Sequence, residues 1–315
     1  MEKSNGNENA TQEGNNNCDH SSQLANSSSF IRNLPKSDSP IDIAGASHDR
    51  THNALRILFW LANLEYLTAD NLCALENELR QSIIDDLEHL ESEQHIQKLE
   101  RLSREAKDQI CVYCLDTKGA QEASKLISQK VQKPSKNARN SINLIHDITV
   151  SEAMVGLIVD LGIDRLDTLL VGRRLRKRIG FVSRRDSYYP DGYIGFSVDV
   201  ENRIIRHLFL EVDRGSEFPN QLRSKFHRLD KYYRERHRLV FNSNRLLVCV
   251  TVPDRKRLEK MCEVVREVNC CVKIFISLHH EIMDNGSSNG GWIDALTEES
   301  KNLLEKVADQ ERGQR

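Results

Sequence analysis

The second half of the sequence alternates apolar runs with amphipathic segments, and this alternation constrains the fold more than any other feature. Residues 193–200 and 203–212 predict two paired strands, while 245–252 and 271–277 predict two more. Residues 219–236 and 254–268 have the spacing of amphipathic helices. Strands that alternate with helices are typical of an α/β domain, so we expect a central mixed sheet with helices on both faces.

The first half predicts a different unit. Helical patterns cover about residues 52–64, 69–75 and 78–90, two alternating runs at 96–102 and 110–115 predict a hairpin, and a last helix covers 120–128. Three helices, a hairpin and a closing helix look like a winged helix-turn-helix domain over residues 51–130. The polar residues 131–140 predict a linker. A second domain follows over 141–280, and its first helix, 149–161, has Thr149 or Ser151 as candidate N-cap.

The two ends of the chain predict little packed structure. Residues 1–50 are rich in Asn and Ser and lack an apolar core, which indicates a disordered leader on a cytoplasmic protein. Residues 281–315 predict a C-terminal tail with a short helix. No apolar stretch approaches the roughly 18 residues of a membrane span. The eight cysteines lie mostly in apolar runs, so we expect buried free thiols rather than disulfides, also at Cys111 and Cys114.

Charge is distributed unevenly along the chain. The net charge is -2, yet the segment from Arg165 to Arg245 holds nineteen Lys or Arg against ten Asp or Glu. A basic segment in an otherwise acidic chain indicates a surface for a polyanion such as nucleic acid, although solvated helix faces would give the same count. The predicted third helix is instead acidic, with Glu76, Glu78, Asp85, Asp86, Glu88, Glu91 and Glu93 in or beside it against Arg80 alone. Because these acids would repel phosphate, protein contact or dimerisation competes with DNA reading for this unit.

Three acids mark the predicted strand pair. Asp191 follows a proline at the entry to one strand, and Glu211 and Asp213 stand at the end of its neighbour. Side chains two residues apart on a strand point to the same face, so pairing would bring the three carboxylates together. Such a cluster of hard oxygen ligands suits Mg²⁺ or Mn²⁺. The alternative is structural, because two acids can end an edge strand and Asp191-Gly192 can form a turn.

Basic residues surround these acids in the sequence and would supply phosphate contacts. The candidates are Arg173, Arg174, Arg176, Lys177, Arg184, Arg185, Arg214, Arg223, Arg228 and Lys231.

The acid segment resembles the replication-relaxation family. The residues that carry the resemblance are Pro190-Asp191-Gly192, the run from Phe209 to Gly215, Leu222 to Lys225 with Tyr232-Tyr233, and the stretch from His146 to Val150. The resemblance implies a winged helix followed by a fold similar to PD-(D/E)XK restriction nucleases. It also implies the activity of MOBC-class mobilisation relaxases, which nick one strand at a plasmid transfer origin with a metal and without a tyrosine nucleophile.

The resemblance assigns roles to individual residues. Asp191 stands at the first acid of the PD motif and Glu211 at the second, whereas Asp213 replaces the usual lysine. Lys225, on the following helix, would reach back into that role or contact phosphate. Glu152, on the first helix, corresponds to an auxiliary acid of some nucleases of this fold, or is a surface residue.

The chain lacks signatures of other chemistries. No His-x-His cluster accompanies Tyr188-Tyr189, and the adjacent His279 and His280 would face opposite sides of a strand. No phosphate-binding G-x-x-x-x-G-K-[ST] loop occurs. We therefore expect a metal-dependent, strand-nicking, relaxase-like endonuclease of plasmid or mobile-element mobilisation or replication, with Mg²⁺ or Mn²⁺ as cofactor. The alternative is a catalytically inactive, DNA-binding regulatory protein of the same fold. The expected partners of this protein are DNA at an origin of transfer or replication, conjugation accessory or coupling proteins, and a second copy of the chain.

Overall fold

The computed structural model describes residues 46–102, 109–134, 143–180, 187–199, 204–285 and 291–301. The predicted leader up to residue 45, most of the predicted linker and the last residues of the tail lie outside this part. No helix within it has the length and apolar character that crossing a membrane requires. The seven cysteines in it are free thiols, including Cys111 and Cys114.

The N-terminal unit has the predicted order of elements. Its helices are α1 (Ala46–Leu64), α2 (Ala69–Glu76), α3 (Arg80–Ser92) and α4 (Thr117–Leu126), and its strands are β1 (Leu67–Thr68), β2 (Ile96–Leu102) and β3 (Gln109–Leu115). The strands form an antiparallel sheet in the order β1-β3-β2. Thr68 is the N-cap of α2, because its hydroxyl accepts a hydrogen bond from the Asn71 N–H at 3.1 Å.

The central sheet is mixed and has seven strands, which confirms the predicted mixed α/β architecture. Its strands are β4 (Leu166–Val171), β5 (Gly192–Asp199), β6 (Ile204–Val212), β7 (Leu246–Val252), β8 (Lys273–Leu278), β9 (Trp292–Asp294) and β10 (Ser300–Lys301). They run in the spatial order β10-β9-β8-β7-β6-β5-β4. Strands β6, β7 and β8 are parallel, and the other neighbours pair antiparallel.

Helices cover both faces of this sheet. They are α5 (Asn143–Leu161), α6 (Gly172–Ile179), α7 (Pro219–Tyr232), α8 (Arg238–Phe241), α9 (Arg255–Val268) and α10 (His279–Asn285), with a π-helical turn at Tyr233–His237 between α7 and α8. Side chains of β7 alternate between two apolar clusters, Leu247 and Cys249 on the α5 face and Val248 and Val250 on the face of α6, α7 and α9. This period of two places each face against its own helices.

The N-terminal unit and the central sheet share one apolar core. A single cluster of buried side chains runs from Ile57 and Trp60 in α1, through Ala153 and Leu157 in α5, to Leu208 in β6. Ser151 reinforces this junction, because its hydroxyl donates to the Leu64 carbonyl at the end of α1. The predicted domains at 51–130 and 141–280 are therefore packed together, whatever the path of residues 135–142.

Three local predictions differ from the structure. Helix α5 begins at Asn143, six residues before the predicted N-cap, and the Thr149 hydroxyl donates back to the Ile145 carbonyl inside the helix. Residues 292–294 and 300–301, predicted as tail, add two strands to the sheet. His279 and His280 begin helix α10, so the predicted strand alternation does not apply to them.

Candidate functional site

The site lies at the end of the β5–β6 hairpin. Gly192 and Leu210 form the last pair of the antiparallel ladder, so Asp191 and Glu211 both lie just beyond that pair at the same end of the hairpin. The Asp191 N–H donates to the Leu210 carbonyl at 2.9 Å, which holds Asp191 against the end of β6. The charge of Asp191 acts on Glu211 and raises its pKa. Pairing of the strands therefore brings two of the three predicted acids, Asp191 and Glu211, together; we call them the acid pair.

Two hydrogen bonds hold the Asp191 carboxylate. One oxygen accepts from the Val212 N–H at 2.8 Å, and the other lies 3.1 Å from Nε2 of His146, which donates to it. Burial raises the pKa of Asp191, but the hydrogen bond from His146 and the charge of Lys225 outweigh it and hold that pKa below its usual value. The pKa of His146 is raised in turn, chiefly by its hydrogen bond to Asp191. Asp191 is therefore an anion at neutral pH.

Glu211 lies deeper, with 2% of its surface exposed. It points to the face covered by α7, from which the Lys225 ammonium comes within 2.5 Å of its carboxylate. Burial raises the pKa of Glu211 to about 7, against the opposing effect of Lys225 and with a further increase from Asp191. Burial lowers the pKa of Lys225, but the charges of Glu211, Asp191 and Glu217 raise it above its usual value. The positive charge of Lys225 therefore acts on both carboxylates of the acid pair, and Glu211 can gain a proton near neutral pH.

Asp213 lies two residues further along but is held elsewhere. Its two carboxylate oxygens accept hydrogen bonds from Nε and Nη2 of Arg257, the latter at 3.0 Å, and one also accepts from the Gly215 N–H at 3.1 Å. Its carbonyl accepts from His279 Nε2 at 3.1 Å. The structure therefore does not bring Asp213 to the acid pair. Within the described residues, no group of three or more His, Cys, Asp or Glu side chains is arranged to hold a metal ion.

Glu152 also lies away from the acid pair. It lines a cavity of about 720 Å³ between α5 and the N-terminal unit, together with Thr68, Arg80 and Tyr113. Asp191 lines a smaller pocket, of about 90 Å³, with His146, Asp147 and Arg176. His146, rather than Glu152, is the α5 side chain beside Asp191.

The predicted DNA-binding residues have unequal surroundings. Arg173, Arg176 and Lys177 are exposed on α6, Arg214 is exposed in the β6–α7 loop (residues 213–218), and Lys231 is exposed on α7, while Arg223 and Arg228 are half-buried on α7. Arg223 pairs with Glu267 at 2.6 Å. Arg184 and Arg185 lie outside the described residues.

Arg174 differs from its neighbours on α6. It turns inward and donates to Asn63 Oδ1 at 2.6 Å, and burial lowers its pKa to about 10. It joins α6 to α1 and is not part of an exposed basic surface.

Sequence reasoning missed two side chains that define the site. His146 falls in the stretch of family resemblance, which could have identified it, but the late predicted start of α5 left it outside the helix. Arg257 is separated from Asp213 by 44 residues, and nothing in its local sequence distinguishes it from its neighbour Arg255.

Comparison with known proteins supplies one match. No curated protein and no solved structure matches the chain. The family model described as replication-relaxation matches residues 58–242, which is more than half of the chain and includes the acid pair and Lys225. This match indicates a role in replication or mobilisation and an interaction with DNA. The chain therefore belongs to the replication-relaxation family.

Proposed function

We propose that this protein is a metal-dependent, strand-nicking DNA endonuclease, similar to a relaxase, which acts in mobilisation or replication of a plasmid or mobile element. The observation that carries the proposal is the contact between Lys225 and Glu211 at 2.5 Å beside Asp191. Two acids and a lysine are the side chains of a PD-(D/E)XK nuclease site. Here the lysine comes from the helix after the strand, because Asp213 occupies the position two residues after Glu211.

The architecture supports the same proposal. Antiparallel strands β5 and β6 carry the acids, parallel strands β7 and β8 follow, and α5 flanks the site. This arrangement is compatible with a nuclease-like domain. The three helices and three-stranded sheet of the N-terminal unit are compatible with a winged helix-turn-helix. Fold alone does not fix function, so the side chains of the site carry the argument.

The acid pair fits Mg²⁺ or Mn²⁺ as a partial ligand set. Both side chains offer hard oxygen atoms, and Mg²⁺ is commonly held by one or two carboxylates while water and substrate phosphate complete its shell. A bound divalent metal would activate water and offset the charge that develops on the phosphate. For Glu211 to take part, it must be deprotonated and its contact with Lys225 must loosen.

The other residues of the site bind and orient. His146 and the Val212 N–H fix the Asp191 carboxylate, so that one orientation is held before substrate arrives. Lys225 is a cation beside Glu211, placed to steady negative charge on a phosphate. Arg214 is exposed three residues after Glu211, and its charge acts on His146, whose pKa it lowers slightly.

DNA would lie across the basic surface next to these acids. Arg176 and Lys177 on α6, Arg214, and Lys231 on α7 are exposed and would contact phosphates. Helix α3 offers the opposite charge, because Asp85, Glu88 and Glu91 are exposed on it. We propose that this face of the N-terminal unit contacts protein rather than phosphate.

A nicking assay tests the proposal. Supercoiled plasmid that carries the element's own origin of transfer or replication should become open circular with Mg²⁺ or Mn²⁺. The variants Asp191→Asn, Glu211→Gln and Lys225→Met should each lose nicking. Matched controls are Glu263→Gln and Lys260→Met, because these two residues form an exposed ion pair on α9 at 2.6 Å. Nicking that survives both acid substitutions would refute the assignment.

A second function is favoured by Asp213. Its pairing with Arg257 removes it from the acid pair, and the usual lysine is absent from that position. This observation supports a DNA-binding regulatory protein without catalysis. Retention of origin DNA by a protein that nicks with neither Mg²⁺ nor Mn²⁺, and that binds neither metal in calorimetry, would favour it.

A further inference from the structure

The β6–α7 loop carries one large aromatic ring into solvent beside the acid pair. Phe218 is 72% exposed. The other exposed large apolar side chains of the described residues are Leu79, Val159, Leu239 and Leu296, so Phe218 is the aromatic member of this set. Single exposed apolar residues are common, and exposure alone carries no function. The surroundings of Phe218 decide the question.

The fold makes no evident use of the ring. Phe218 is the N-cap of α7, a position where Ser, Thr, Asp and Asn are preferred because their side chains accept backbone hydrogen bonds. A phenyl ring cannot accept one in that way. The helix start is instead secured by Pro219 and by Gln221, whose side-chain oxygen accepts from the Phe218 N–H at 2.7 Å. A small polar residue would serve the helix better.

The ring is close to the chemistry that we propose. Glu217, its neighbour in the chain, lies 3.8 Å from the Lys225 ammonium, which also contacts Glu211. Lys225 follows Phe218 by seven positions, close to two helical turns, so both stand on one side of α7 about 10 Å apart along its axis. Arg214 is exposed at the other end of the same loop, where its charge acts on His146. An exposed basic and an exposed aromatic side chain thus lie at the two ends of the loop that leads from Glu211 to the helix of Lys225.

We propose that Phe218 stacks on an unpaired base of the DNA strand whose phosphate lies at the acid pair, and so selects single-stranded or locally opened DNA. This inference rests on the proposed function, and it adds the substrate class. A phenyl face stacks on any exposed base, but in a duplex both faces of a base are covered by its neighbours. Neighbouring bases of a duplex strand are about 3.4 Å apart, so a base a few steps from the scissile phosphate is within reach of the ring.

Binding measurements without divalent metal test this inference separately from catalysis. The probe is a short single-stranded oligonucleotide with 2-aminopurine near the nick position, compared with the same sequence as a duplex, in EDTA. Stacking on Phe218 should change 2-aminopurine fluorescence. Phe218→Ala should weaken single-strand binding by roughly 5- to 150-fold, the range seen for one stacked base. Duplex affinity should change less than twofold.

Two further variants separate stacking from other roles of the ring. Phe218→Trp should retain single-strand binding, whereas Phe218→Leu should lose as much as Phe218→Ala because leucine has no π face. Leu239→Ala is the matched control, since Leu239 is 83% exposed on α8 and lies outside the proposed site. It should bind both probes as the wild type does.

Several outcomes would overturn the inference. One is unchanged single-strand binding by Phe218→Ala, and another is wild-type binding by Phe218→Leu, which would indicate an apolar contact such as a protein interface. If only the nuclease proposal fails, the protein would not nick plasmid. In EDTA, Phe218→Ala would still weaken single-strand binding and Phe218→Trp would still retain it.

Discussion

Glu211 and Asp213 stand two residues apart at the end of one strand, yet their surroundings differ in kind. Glu211 is buried against α7, pairs with Lys225 and interacts with the Tyr188 hydroxyl, and burial raises its pKa to about 7. Asp213 is buried against α9 and gives both oxygens to the forked guanidinium of Arg257. A lysine contact is a point charge that can be displaced, whereas a two-point arginine pair is fixed in geometry. Two-residue spacing on a strand places two side chains on the same face of the sheet, but the helix that packs over each side chain determines its ion-pair partner.

The largest effect should come from removing the partner of the fixed acid. Arg257→Met leaves the Asp213 charge buried without its ion pair, and we expect the free energy of unfolding to fall by about 3–5 kcal/mol. Lys225→Met should cost less, on the order of 1 kcal/mol, because Glu211 can take a proton instead. Urea unfolding at pH 7 measures both. Equal losses of unfolding free energy in the two variants would contradict the proposed difference between Asp213 and Glu211.

The second effect is a pH dependence specific to Glu211. Its pKa is higher in the folded protein than the usual 4.5, so the folded state binds more protons between these values. Its contribution to stability is therefore complete below about pH 4.5 and is lost as pH rises through about 7, by on the order of 3 kcal/mol. Urea unfolding of wild type and Glu211→Gln at pH 5 and pH 8 checks this. Glu211→Gln should lack the loss of stability between pH 5 and pH 8 that Glu211 causes in the wild type. An identical pH dependence in both proteins would contradict the raised pKa of Glu211.

A third effect concerns the support of Asp191. His146→Ala removes the hydrogen bond at 3.1 Å that orients the carboxylate, and loss of such an outer partner typically weakens metal binding about 10- to 100-fold. Calorimetric titration with Mn²⁺ measures the change. His279→Ala is the comparison on the Asp213 side, and it should leave Mn²⁺ affinity within about twofold, because the hydrogen bonds of His279 go to the Asp213 carbonyl and to Thr251 rather than to the acid pair. A larger loss in His279→Ala would place Asp213 in the metal site.

The smallest effect separates two arginines of α6. Arg176→Ala should weaken DNA binding slightly and lower the slope of log affinity against log salt concentration by about one. Arg174→Ala should leave that slope unchanged and reduce thermal stability, since Arg174 points into the junction with α1. Fluorescence anisotropy over a salt series and a thermal melt distinguish them. A reduced slope in Arg174→Ala would mean that it reaches phosphate.

Local patterns predicted most of the fold. The alternating runs gave β5, β6, β7 and β8 close to their bounds, and the register of β5 and β6 follows from their hairpin, so the meeting of Asp191 and Glu211 could be foreseen. The start of α5 could not, because Thr149 has the propensity of an N-cap, whereas Leu144 and Ile148 in the first turns pack against Tyr66, Val112 and Cys114 of the N-terminal unit. Strands β9 and β10 are too short to show a period.

The site could be predicted only in part, because several of its contacts join residues that are far apart in the sequence. Lys225 could be proposed because it lies on the next helix and faces the strand. The partner of Asp213 could not, since Arg257 approaches from a helix two elements later, and such tertiary contacts leave no local pattern. The contact between His146 and Asp191 likewise spans 45 residues. Which acid is available to a metal is therefore a property of the tertiary structure.

The most direct test of the account measures Mn²⁺ binding by electron paramagnetic resonance in three proteins: the wild type, Glu211→Gln and Asp213→Asn. The account predicts one site in the wild type, its loss in Glu211→Gln, and its retention in Asp213→Asn. Circular dichroism confirms that each variant is folded. Mn²⁺ binding that survives Glu211→Gln, or disappears in a folded Asp213→Asn protein, would contradict the claim that Asp191 and Glu211 form the metal site.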